Sequence, residues 1–161
     1  MKENYHRCLL NAGIRPSVQR IAIYAFMKET KSHPDVETVF SSLAPLYPTL
    51  SKTTVYNTLK LFEEKKLVRS IYIEDDKLRF DADMTDHIHF KCSCCGGLYD
   101  IFNSNFVKNL NKSCRTVIPR GFILEENELC LWGLCCDCAK KKDTADSSGT
   151  GGGGTDSAGT K

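Results

Sequence analysis

Nine cysteines and four histidines stand in a chain of 161 residues, and most of the cysteines fall in two short stretches. The first, CSCCGG from Cys92, holds a Cys-x-x-Cys pair, Cys92 and Cys95, followed by two glycines. That spacing lets the backbone fold around a tetrahedral ion, and the glycines relieve the tight turn after the second ligand. The second stretch, Cys135-Cys136-Asp137-Cys138, offers another such pair about 40 residues on. Two pairs so spaced point to a closed, all-thiolate zinc site with Cys92, Cys95, Cys135 and Cys138 as ligands. The competing reading, two redox pairs, lacks the strand-to-helix setting of a thioredoxin-like unit. Cys8, Cys94, Cys114, Cys130 and Cys136 are left over, and Cys130, between Leu129 and Leu131, reads as a small core residue.

Just upstream, His87 and His89 lie two residues apart. On a strand both point to one face, so both imidazoles can reach one ion. Asp81 precedes His87 by six residues and Asp100 follows His89 by eleven. Nitrogen and carboxylate donors suit divalent iron, manganese or zinc, and exchange more readily than four thiolates. His33, far off in the first half, reads by itself as a surface residue flanking a helix.

The elements that must carry these groups divide the chain. Residues 1–80 read as a run of helices followed by a hairpin. Cys8, Leu9 and Ala12 suggest a first helix closed at Gly13, and Ser17 caps a second carrying Val18, Ile21 and Ala25. Val36, Val39, Phe40 and Leu43 give a third its apolar stripe before Pro45 and Pro48 break it. Ser51 caps a fourth, KTTVYNTLKLFEEKK, whose inward stripe is Val55, Leu59 and Phe62. Thr53, Tyr56, Asn57 and Lys60 share its opposite face, a set of donors and apolar edges suited to bases and phosphates in a major groove. Two β-prone stretches then surround a polar turn, Glu74-Asp75-Asp76-Lys77. Helices followed by a hairpin are the order of a winged helix-turn-helix.

Composition agrees. Apolar residues are 41% and charged residues 26%, the profile of a soluble globular protein, and no apolar run approaches the roughly 20 residues that span a bilayer. Residues 1–80 carry 13 Lys/Arg against 9 Asp/Glu, whereas residues 81–142 carry 8 of each, a small excess that permits nucleic-acid contact through the first half. Cysteine richness without an export signal at the N-terminus points to metal binding or redox sensing in a reducing cytoplasm rather than to disulfides. Residues 143–161, rich in Gly, Ser, Thr and Asp, carry too little apolar surface to offset ordering entropy, and disorder is expected there.

GIRPSVQR, SHPDVETVF, SKTTVYNTLKLF, Arg79-Phe80-Asp81, the H-x-H-x-x-C-x-x-C-G of residues 87–96 and WGLCCDC together resemble the ferric uptake regulator family of bacterial metal-dependent repressors. The resemblance covers roughly residues 5–142. It implies an α+β fold: a winged-helix DNA-binding domain over 1–81, a hinge over 82–86 and an α/β dimerisation domain over 87–142. It implies a homodimer on a pseudo-palindromic operator in double-stranded DNA, with one structural zinc per subunit on the four cysteines. His33, Asp81, His87, His89 and Asp100 become one regulatory site per subunit for ferrous or manganous ion. Arg15 is then expected in a minor groove, Tyr56 and Asn57 at bases, and Lys60, Lys52 and Arg20 at phosphates. Asp100, where iron-responsive members usually have Glu, and Asn57 after the tyrosine are similar to the peroxide-responsive (PerR) type. In that type iron reduces peroxide and the resulting oxidant attacks a ligand imidazole, His33 or His87 here. Iron-responsive, or other metal-responsive, repression of metal uptake is the alternative. A third metal site found in many members is not expected, because Ile88 and Asn127 stand where it needs an acid and a histidine. A zinc hydrolase is set aside for want of an HExxH motif, and a thiol switch at Cys8, Cys94 or Cys136 remains compatible with repression.

Overall fold

The computed structural model describes residues 4–74, 77–125 and 127–147. Four helices come first, each started by a side chain that accepts from an otherwise unpaired amide. Asn4 caps α1 (Tyr5–Asn11), Ser17 caps α2 (Val18–Glu29), Asp35 caps α3 (Val36–Leu43) and Ser51 caps α4 (Lys52–Glu64). Gly13, at φ +73°, turns the chain out of α1 in the left-handed region where a side chain is strained. Val55, Leu59 and Phe62 of α4 are fully buried, as their spacing predicts, and meet Leu9, Ile23, Met27 and Val39 from the other helices. The strands β1 (Arg69–Glu74) and β2 (Lys77–Asp81) pair antiparallel, with a register shift between Ile71 and Glu74. Phe80 of β2 closes the core from below. Helix pair α3–α4 and hairpin β1–β2 make a winged helix-turn-helix; the tip of the expected turn, Asp75 and Asp76, lies outside the described residues.

A second sheet has the order β4-β3-β5, formed by β3 (Ile88–Cys92), β4 (Leu98–Ile101) and β5 (Cys130–Gly133). Strand β3 pairs antiparallel with β4 and parallel with β5. A parallel neighbour needs a long crossover, and α5 (Ser104–Val117) lies on it. Helix α6 (Cys136–Ser147) follows β5. It runs past residue 142 into the stretch where sequence composition predicts disorder, because a helix once started extends through residues of modest propensity. Residues 148–161 lie outside the described residues. The fold class is α+β, and no described helix is long and apolar enough to cross a membrane.

Candidate metal centres

The four-cysteine cluster is built from two turns. Cys92 ends β3, and the chain doubles back so that the Gly96 amide donates to Cys92 O at 3.0 Å and the Cys92 amide to Gly97 O at 2.8 Å. Gly96 has φ +71°, which closes this knuckle. A Cβ on Gly97 would strike the Tyr99 ring, with Oη at 2.9 Å. Cys135 and Cys138 come from the loop and first turn that begin α6. The four sulfurs lie within 4.8 Å of one another, Cys95 and Cys135 at 3.8 Å, and all four cysteines are free. Tetrahedral Zn–S bonds of about 2.3 Å put sulfur neighbours about 3.8 Å apart, so the donor set fits zinc. The amides of Cys95 and Cys135 hold the Cys92 thiol below its ordinary range, and the Cys138 amide does the same for Cys135. The neighbouring sulfur of Cys135, and then burial, push Cys138 up. Cys94 and Cys136 are exposed; Cys130 is half-buried, its thiol raised to about 11 by burial and then by Glu128.

The second cluster gathers residues remote in sequence. His33 is buried between α2 and α3 with φ +49°, a strained backbone for a residue other than glycine. Its carbonyl accepts from Arg79 Nη1 at 3.3 Å, and Pro34 O accepts from the Phe80 amide at 3.0 Å, so the loop is docked on β2. Asp81 ends that strand. His89 and Asp100 are cross-strand partners on β3 and β4, and His87 directly precedes β3. The ligand atoms of His33, His87, His89 and Asp100 all lie within 4.8 Å of one another. His33 Nε2 is 2.8 Å from Asp100 Oδ1, and His87 Nε2 is 2.9 Å from His89 Nε2. Asp81 stands at the rim, with Oδ2 3.2 Å from His87 Nε2 and 3.9 Å from His89 Nε2, and Oδ1 4.0 Å from His33 Nε2. An ion about 2.1 Å from each donor would place neighbouring donors roughly 3.0–3.5 Å apart.

Two observations show that this cluster suits a cation. Asp81 Oδ2 and Asp100 Oδ1 are buried with no hydrogen-bond partner, although imidazole nitrogens face them. His87 donates from Nδ1 to Thr85 O at 2.8 Å; a carbonyl only accepts, so the neutral ring presents the lone pair of Nε2 to the cluster. Electrostatics agree. Burial works to raise the Asp81 carboxyl, but the imidazoles of His87 and His89 outweigh it and hold the group well below the carboxylate range. Burial works to lower His89, but Asp81 and then Glu128 raise it to about 9, and His87 is raised likewise by Asp81. A cavity of about 220 Å³, lined by Lys28, Lys31, His33, Phe80, Asp81 and Asp100 among others, leaves one side of the cluster open.

The expected DNA-contact residues do not converge on a pocket but lie over the helical half. Thr53 and Asn57 are exposed and Tyr56 is 45% exposed, on the outer face of α4. Lys60 is half-buried and paired with Glu63 at 2.8 Å, and exposed Lys52 pairs with Glu37. Arg15 is exposed, and Arg20 Nη1 donates to its carbonyl at 2.9 Å.

Sequence reasoning missed three groups around the second cluster. Thr85 supplies the carbonyl that fixes His87. Glu128 puts Oε1 3.3 Å from His89 Nδ1. Arg69, opposite Asp81 in the hairpin, puts Nε 3.7 Å from Asp81 Oδ2. None of the three carried a local signal in the sequence.

Known proteins are similar to this chain in sequence and in fold. The model of the Ferric uptake regulator family matches residues 11–130. The Peroxide operon regulator of Bacillus subtilis strain 168 is 31% identical over 135 residues, covering 84% of this chain and 91% of that protein. Among solved structures, the Ferric uptake regulator of Pseudomonas aeruginosa with manganese superposes with a TM-score of 0.68 at 24% identity, over 83% of this chain and 99% of that one. The peroxide stress regulator of Campylobacter jejuni gives 0.61 at 25% identity, over 81% and 92%. With the family model matching residues 11–130, well over half of the chain, the chain belongs to the ferric uptake regulator family.

Proposed function

We propose that this chain is a metal-dependent, DNA-binding transcriptional repressor that senses peroxide through oxidation of histidines in its regulatory site. The observation that carries the reading is that His33 from the helical half meets His87, which leads into the second sheet, and His89 and Asp100 within that sheet, with Asp81 at the junction. A donor set drawn from both halves binds an ion well only in one relative placement of them, so the ion favours that placement by differential affinity. In this reading residues 1–81 bind DNA, 82–86 are the hinge and 87–142 dimerise. Cys92, Cys95, Cys135 and Cys138 hold one structural zinc per subunit, and the imidazole and carboxylate set holds one ferrous or manganous ion.

A homodimer would set two α4 helices at successive major grooves of a pseudo-palindromic operator. Apolar surface supports a second copy: Leu131 and Trp132 are exposed on β5, an edge strand, and Phe122 and Ile123 are exposed nearby in sequence. On α4, Thr53, Tyr56 and Asn57 would read bases, with Lys52, Lys60 and Arg20 at phosphates and Arg15 in a minor groove.

A bound ferrous ion supplies one-electron reduction of peroxide, and its manganous counterpart reacts slowly. The chain's part is to leave one side open: the cavity reaches His33, Asp81 and Asp100, so a small oxidant arrives beside the His33 ring. His33 and His87 are the rings expected to be oxidised. An oxidised ligand loosens the set that joins the halves, and repression ends.

The test uses duplexes enriched from random DNA by manganese-loaded protein. Their binding is measured for ferrous and manganous protein before and after dilute peroxide, with mass spectrometry of the His33 and His87 peptides. Peroxide should abolish binding of the ferrous form only and add oxygen to those histidines. Ferrous protein that stays bound with unmodified histidines would move the reading to iron-responsive repression.

A further inference from the structure

Arg69 belongs to β1, yet its guanidinium reaches the connection between the halves. Nη2 donates to Asp83 O at 2.9 Å and to Thr85 O at 3.0 Å, and Nε lies 3.7 Å from Asp81 Oδ2. Thr85 O is the same acceptor that fixes His87 through Nδ1. One side chain therefore reaches the carboxylate of one expected ligand, the carbonyl that orients another, and the backbone between them. Residues 82–86 belong to neither sheet, and their own Asx turns, Asp83 amide to Asp81 Oδ1 at 2.7 Å and Thr85 amide to Asp83 Oδ1 at 2.9 Å, are local. Lys28 adds another tie from the helical half, Nζ to Ala82 O at 3.2 Å. A planar guanidinium has its N–H groups in fixed directions, so it can hold a geometry that a flexible ammonium cannot.

We propose that Arg69 is a positioning residue that couples occupancy of the regulatory site to the β1–β2 hairpin, by locking residues 82–86 to the winged helix. Without it, the set of Asp81 and His87 on taking an ion would be absorbed by slack backbone. With it, the same set is passed to the hairpin. The inference rests on the metal-dependent reading above and deepens it.

Arg69→Met and Arg69→Lys are compared with the parent chain in two measurements. In the metal-free, zinc-containing protein, amide hydrogen exchange over residues 82–86 should quicken at least tenfold in Arg69→Met, with α4 amides unchanged. At saturating manganese, the gain in operator affinity over the metal-free state should shrink at least tenfold in Arg69→Met, with zinc content and binding to random duplex preserved. Arg69→Lys, which keeps the charge and loses the fork, should fall between. Unchanged exchange over 82–86, or a full manganese-induced gain in Arg69→Met, would overturn the role. A parent chain without any manganese-induced gain would sink the metal-dependent reading instead, and the exchange measurement would still decide whether Arg69 locks the segment.

Discussion

The two candidate metal centres are made by opposite means. The four sulfurs come from a knuckle at the end of β3 and the turn that starts α6, so they lie within one half and make a compact set. The imidazoles and carboxylates come from a strained loop before α3, the end of β2, and two neighbouring strands of the other sheet. A site closed by local turns stabilises the unit that makes it. A site whose donors arrive from separate units stabilises their relative placement, and it responds when a donor is lost. The first design suits a permanent ion, the second a signal.

Removing a thiolate should give the largest effect. Structural zinc contributes an apparent ~10–16 kcal/mol in small zinc domains, comparable with the ~5–15 kcal/mol that stabilises a whole protein. Cys92→Ser or Cys138→Ser is therefore expected to lose zinc and the folded second half together, read by metal content and thermal unfolding. A variant that kept its zinc and its unfolding temperature would erase the contrast between the centres. His89→Ala should act on the other side of it. Losing partners that merely orient a ligand costs about 10–100-fold in metal affinity, so losing the ligand should cost at least about 100-fold. Zinc content and thermal unfolding should hardly change.

Smaller effects belong to the helical half. Tyr56→Ala should weaken operator binding by about 1–3 kcal/mol and leave random duplex almost unaffected, whereas Lys52→Ala should weaken both and lower the salt slope by about 1. Equal losses on both DNAs for Tyr56→Ala would remove it from base reading. The gentlest test is pH. His89 keeps its proton to about 9 in the metal-free fold, against an ordinary value of 6.5. Its contribution to metal-free stability is complete below about pH 6.5 and lost as pH rises through about 9. Manganese must displace that proton, so manganese affinity should rise several-fold per unit over the same range, by titration calorimetry. Zinc retention should be flat there.

The same division decides what could be read from the chain before folding. Cys-x-x-Cys spacing encodes a local turn, so Cys92, Cys95, Cys135 and Cys138 were legible as a set. The two-residue spacing of His87 and His89 encodes a shared face, although only His89 lies within β3 and His87 leads into it. The amphipathic stripes of α3 and α4 likewise follow from helical period. That His33 joins the others is a tertiary fact: its buried, left-handed conformation depends on docking against Phe80 and Arg79, which no spacing encodes. The reach of Arg69 to Asp81 was hidden for a sharper reason. A regular hairpin turning at Glu74 and Lys77 would set Arg69 opposite Ala82, and the bulge between Ile71 and Glu74 moves it opposite Asp81. Glu128 comes to His89 through the parallel pairing of β5, a crossover that no local pattern announces. Composition also misjudged the start of the tail, because α6 carries on to Ser147.

The central claim is that a removable ion, and not the zinc, sets the DNA-binding state. It is tested most directly by stripping the regulatory ion with a mild chelator, verifying by metal analysis that one zinc per subunit remains, and measuring operator affinity before and after manganese is restored. The account predicts weak binding in the stripped protein, at the level of random duplex, and recovery of at least about 100-fold with manganese. Equal affinity in the two states would contradict it.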